Sequence, residues 1–112
     1  MDAIFVELPP FARHRADYLS DEAFISLQNL LMLSPWCGDV IQHTGGLRKV
    51  RLGDENRQKG KRAGLRVIYY WWQENAQFLL FTLYSKGEMG DLTVSQKSML
   101  RQLLDYHMAG TP

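Results

Sequence analysis

With 112 residues and 46% hydrophobic content, the chain has material for one domain with its own core and not for two, so residues 1–112 are read as a single domain. Its formal charge of +1 conceals a polarised molecule: Gly45 to Arg66 holds eight of the thirteen Lys and Arg residues against two acids, a segment charge of +6, and the remainder holds five bases and ten acids, or −5. One cysteine, Cys37, excludes an internal disulfide, and with three scattered histidines (His14, His43, His107) it argues against a zinc site. No P-loop, dinucleotide fingerprint or repeat is present, so neither metal nor cofactor is expected and the chemistry falls to ordinary side chains. The apolar runs are short and interrupted, and no basic segment leads an apolar one at the N-terminus. Neither a membrane span nor a secretory signal is expected, and the protein is read as cytoplasmic.

In chain order, Ala3 to Glu7 is a short apolar run stopped by Pro9-Pro10, a first strand whose ladder cannot continue through proline. Phe11, Arg15 and Tyr18 recur at helical spacing, with Pro10 suited to a first helical position. Ser20 is a good N-cap, followed by first-turn acids Asp21 and Glu22, and Phe24, Leu27, Leu30 and Leu31 form one apolar face up to Ser34-Pro35. Trp36 to Gly46 reads as a loop. Leu47 to Leu52 is a strand, Gly53 to Gly64 a basic loop, Leu65 to Trp72 a strand and Phe78 to Lys86 another, the last two joined by a tight turn at Glu74-Asn75. Thr93 and Gln96 have capping-box spacing before a final helix with Met99, Leu100, Leu103 and Leu104 on its apolar face. The expected class is α+β: a small antiparallel sheet with helices packed on one face, in the order β-α-α-β-β-β-α.

Strand parity then sorts the side chains. Leu79, Phe81 and Leu83 are expected under the helices, with Leu80, Thr82, Tyr84 and Lys86 on the open face; Val50 and Leu52 inward puts Lys49 and Arg51 outward; Leu65, Val67 and Tyr69 inward puts Arg66, Ile68 and Tyr70 outward. Lys49, Arg51, Arg66, Tyr84 and Lys86 thus converge on one face, with Arg48 at its edge. The loop cations Arg57, Lys59, Lys61 and Arg62 lie at its rim. Such a face suits an RNA backbone.

At these residues the chain resembles the RelE/HigB-type toxins of bacterial type II toxin-antitoxin systems, closest to the HigB branch. The likeness is carried by Gly46-Leu-Arg-Lys-Val-Arg51, by Gly60-Lys-Arg-Ala-Gly-Leu-Arg-Val-Ile-Tyr-Tyr70, and by Leu83-Tyr-Ser-Lys-Gly-Glu88 with Asp91-Leu92; with the order of elements it covers nearly the whole domain. The resemblance implies a RelE-like fold and an mRNA endonuclease acting in the ribosomal decoding site, with ribosome and mRNA as partners and a co-encoded antitoxin protein as its inhibitor. Lys49, Arg51 and Arg66 take family positions by strand, and Lys86 matches a family lysine beside the end of the last strand. Many relatives carry a catalytic tyrosine in or just before the final helix. Leu92, Val94 and their neighbours offer none, and Tyr84 is the candidate replacement.

Cleavage without a metal needs a base for the 2′-hydroxyl proton, cations for the charged phosphorane and an acid for the 5′-leaving oxygen. Arg66 and Arg51 suit the second role because a guanidinium stays charged and grips two phosphate oxygens. Lys86, Lys49 or Tyr84 is left for proton transfer, and Tyr70 or Trp72 could stack a base. Loop cations between glycines suit ribosome contacts more than chemistry. Two rival expectations are a same-fold toxin directed at DNA gyrase and a non-catalytic RNA-binding domain.

Overall fold

The computed structural model describes residues 2–53 and 64–110. The expected loop cations Arg57, Lys59, Lys61 and Arg62 lie outside the described residues. The elements are β1 (Ile4–Glu7), α1 (Pro9–Tyr18), α2 (Asp21–Leu33), β2 (Asp39–Val40), β3 (Arg48–Leu52), β4 (Leu65–Trp72), β5 (Gln77–Ser85) and α3 (Val94–Met108). The predicted order holds with one addition, the two-residue β2 inside the stretch expected to be loop. It runs antiparallel to β3 with Asp39 opposite Lys49 and Val40 opposite Arg48.

Local chemistry explains the boundaries. Pro9 and Pro10 open α1, where the missing N–H costs nothing. Ser20 Oγ accepts from Ala23 N at 3.1 Å to start α2. Thr93 and Gln96 close a reciprocal capping box on α3: Gln96 N donates to Thr93 Oγ1 at 3.1 Å and Thr93 N to Gln96 Oε1 at 2.8 Å. Between β4 and β5, the turn at Gln73–Asn75 ends on Ala76 in the left-handed region, at φ 51°.

The five strands lie in the order β1-β5-β4-β3-β2. The sheet is mixed, and not the antiparallel one expected, because β1 pairs parallel to β5, Ile4 opposite Gln77 and Glu7 opposite Leu80. The chain that joins these two strands runs through α1, α2 and β2 to β4, the long connection a parallel pair requires.

The layers also differ from expectation, for helices cover both faces. Phe11 of α1 and Leu27 and Leu31 of α2 pack with Leu19, Val50, Leu65, Val67, Tyr69, Trp71, Phe78, Leu80 and Leu83. On the opposite face, Leu100 and Leu104 of α3 pack with Leu8, Ile41, Leu47, Ile68, Leu79, Phe81 and Tyr84. The sequence LRVIYYWW of β4 is apolar at nearly every position, as a strand buried on both sides must be. Along β5 the alternation breaks. Ile68 faces Thr82 but Tyr69 faces Leu80, so Phe81 is an extra residue, and beyond this bulge Leu83 joins Phe78 and Leu80 on the α1/α2 side. Leu79, Phe81 and Tyr84 are left under α3. The expected grouping of Leu79 and Phe81 with Leu83 is thereby corrected.

Candidate nucleic-acid interface and active site

The register of β3, β4 and β5 places Arg51 opposite Arg66 and Arg66 opposite Tyr84, a row across three neighbouring strands. The face that carries this row was expected to be open, but α3 closes over part of it. What remains is a cleft of about 270 Å³ between α3, β2 and β3, lined by Asp39, Val40, Ile41, Gln42, Lys49, Arg51, Tyr84, Asp91, Leu92 and Lys97. Three of the five expected catalytic residues, Lys49, Arg51 and Tyr84, line it.

Arg66 stands behind it. It is 3% exposed, and its Nη1 donates to the carbonyls of Gly64 at 3.4 Å and Leu65 at 3.3 Å. Its charge reaches the site through Tyr84, whose pKa it lowers. Two stronger influences act the other way, so the Tyr84 hydroxyl titrates above its ordinary range: burial first, then the negative charge of Asp91. The hydroxyl is buried and has no hydrogen-bond partner among the described residues. Such a group costs folding free energy, and a phenol held protonated beside a cleft is a donor awaiting an acceptor.

Lys49 reaches Asp91, with Nζ 3.6 Å from Oδ1; the lysine side chain is mostly covered and the aspartate mostly open. Asp39 faces the same lysine across the β2–β3 ladder. The cleft therefore holds Lys49, Arg51 and Lys97 against two carboxylates. Asp91 and Lys97 received no role from sequence. The signal for Lys97 was its position four residues after the Thr93 cap, off the Leu100/Leu104 stripe.

The remaining expected residues lie elsewhere. Lys86 is exposed, one residue past β5, where its amide donates to Gly64 O at 3.1 Å; it does not line the cleft. Arg48 points to the α2 side. Its Nη1 donates to Trp36 O at 3.0 Å and Gly38 O at 2.7 Å, and its guanidinium stacks 4.9 Å from the Trp36 ring, a structural clamp on the segment leading into β2. Tyr70 packs under Gly46, and Trp72 meets His107 of α3 edge-on at 5.9 Å, so neither ring offers an open stacking platform.

No protein-family model matches the sequence. Among the described residues, no helix is long and apolar enough to cross a membrane. Groups of three or more His, Cys, Asp or Glu placed to hold a metal ion are likewise absent among them.

Proposed function

We infer that the chain is a metal-independent endoribonuclease of the RelE/HigB type, a toxin that cuts mRNA on the ribosome and is held in check by an antitoxin protein. The observation that carries this reading is the row Arg51–Arg66–Tyr84 beside Lys49 and Asp91: cations, a protonated phenol and a carboxylate on one side of one sheet. These are the parts that attack by a 2′-hydroxyl requires. In this reading Arg51 and Lys49 hold the phosphate oxygens, Arg66 supplies positive potential from below, and Tyr84 donates a hydrogen bond to the phosphorane as charge builds. Asp91 accepts the 2′-hydroxyl proton. The new P–O2′ bond forms as the P–O5′ bond breaks, and the 5′-oxygen leaves with a proton from Lys49 or Tyr84.

Toeprinting of translated mRNA, with and without the protein, tests the reading. Ribosome-dependent cuts are expected from the wild type and not from Arg51→Ala. Translation arrest without cuts would indicate a non-catalytic RNA binder, and gyrase poisoning with intact mRNA would indicate the topoisomerase-directed alternative.

A further inference from the structure

A second hollow of about 210 Å³ lies beside the cleft along α3, lined by His43, Val94, Lys97, Ser98 and Arg101. Lys97 belongs to both linings, and Gln42 of the first is followed in the chain by His43 of the second, so the two hollows are neighbours on either side of Lys97.

Lys97 and Arg101 are four residues apart on a helix and therefore project from the same side. Neither is in a salt bridge among the described residues. The opposite wall is a fixed turn. Thr44, fully buried, donates from Oγ1 to Ile41 O at 2.7 Å and accepts from Leu47 N at 3.2 Å. Gly45 follows at φ 82°, and a methyl group there would lie 3.4 Å from Leu104 Cδ2 and 4.0 Å from Arg101 Nε, so the turn rests on the helix next to the guanidinium. His43 sits at φ 66°, a left-handed conformation that a residue with a side chain adopts when its surroundings impose it.

The chemistry of the two hollows differs in one respect. Asp39 and Asp91 enter the first, whereas the second has an ammonium, a guanidinium, an imidazole and a hydroxyl and no carboxylate in its lining. A shallow, acid-free surface hollow that shares Lys97 with the cationic cleft and carries Arg101 one helical turn further on offers cations to the next anionic unit of a ligand already in the cleft. We propose that the hollow at His43, Lys97, Ser98 and Arg101 is a phosphate seat for the RNA strand whose scissile bond lies in the cleft. Resting on the assignment of the cleft to RNA, the seat adds the path of the strand out along α3. Contacts of this kind fix register and carry no base information.

The test uses single-stranded RNA with 2′-O-methyl sugars, which cannot be cut, as a dinucleotide and as a longer oligomer. Arg101→Ala should leave the dinucleotide's affinity unchanged and reduce the salt dependence for the oligomer by one contact, a change of about 0.7 in the slope of log K against log salt. Arg101→Lys should restore the slope. Arg51→Ala should weaken both probes. A wild-type slope in Arg101→Ala, with Arg51→Ala weakened on both, overturns the seat and leaves the cleft reading standing; wild-type protein that binds neither probe overturns the seat, and the cleft reading then stands or falls with the ribosome-dependent cuts. An Arg101→Ala effect confined to intact ribosomes would assign the hollow to ribosomal RNA instead, and an effect seen with polyaspartate but not with RNA would assign it to an acidic peptide. Either result overturns the same-strand path.

Discussion

Two buried tyrosines on adjacent strands carry opposite burdens. The Tyr69 hydroxyl is satisfied, donating to Pro35 O at 2.8 Å and accepting from Gly38 N at 3.0 Å, and burial is the main cause that pushes its pKa from 10.0 up to about 12. The folded state therefore keeps this proton where the unfolded chain has begun to lose it. The resulting stabilisation is whole below pH 10 and is lost as the pH climbs toward about 12; it is worth on the order of 2 kcal/mol. Tyr69→Phe should cost about 1–2 kcal/mol at neutral pH through the two lost bonds, and urea melts of the variant should show a flatter alkaline decline than the wild type. Tyr84 is the reverse case, since its hydroxyl meets no partner among the described residues. Tyr84→Phe should keep or raise the melting temperature while slowing single-turnover cleavage by about 10²–10³-fold, the range for one lost oxyanion donor. A stable variant that cuts at the wild-type rate would remove Tyr84 from the chemistry. Arg66→Ala differs from both. It deletes a buried guanidinium that binds two backbone carbonyls, so a loss of stability on the order of 2 kcal/mol should accompany loss of toxicity, and cleavage must be normalised to folded protein.

At the level of elements, the helix starts are legible in sequence because single side chains make them: Ser20 and Thr93 stand where caps are needed, and both are used. β4 is legible from end to end because Gly64 and the Gln73–Asn75 turn bound a continuous β-prone run. Three features are not. β2 is two residues long and has one apolar side chain, too short for any alternation. The bulge at Phe81 leaves no mark in FLLFTLYS, where both parities are largely apolar and a one-residue slip changes no pattern. The stripe of α3 says that Leu100 and Leu104 are buried but not which face of the sheet receives them, and with that face mistaken the site is expected open when it is a cleft. The segment before β2 is also held by a contact no pattern reveals. A methyl group at Gly38 would lie 2.8 Å from Tyr69 Cε1 and 3.0 Å from the Lys49 carbonyl, and backbone cannot give way as a side-chain tip can. Gly38→Ala should cost about 1–3 kcal/mol in chemical denaturation. By shifting β3 at Lys49 it should also depress cleavage, whereas an unperturbed melt would mean that the turn yields freely.

The whole molecule combines a concentrated positive segment with two unequal sheet edges, and both bear on how an antitoxin would hold it. β1 forms one edge; at the other, β2 pairs only with Arg48 and Lys49, so no described strand pairs the outer side of Val50–Leu52. Beside that stretch, on the α2 side, lies a hollow of about 250 Å³ lined by Leu19, Ala23, Ser26, Leu27, Leu30, Leu52 and Gly53, mostly apolar. Across the same strand, Lys49 and Arg51 face the cleft. A peptide strand added along Val50–Leu52 would satisfy main-chain groups, put alternate side chains into the apolar hollow, and obstruct the cleft by bulk. An acidic peptide laid directly over Lys49, Arg51 and Lys97 would instead depend on charge, and its affinity would fall steeply with salt. We predict the edge mode, because a strand edge with no partner strand among the described residues, next to an apolar groove, offers a binding segment both hydrogen bonds and burial, which repay the cost of ordering it. Titration of the complex from low to high salt should therefore lower affinity only modestly, and Leu30→Asp should weaken antitoxin binding while cleavage by the uncomplexed chain, if the proposed function holds, persists. A fall of several orders of magnitude with salt, together with indifference to Leu30→Asp, would place the antitoxin over the cationic cleft.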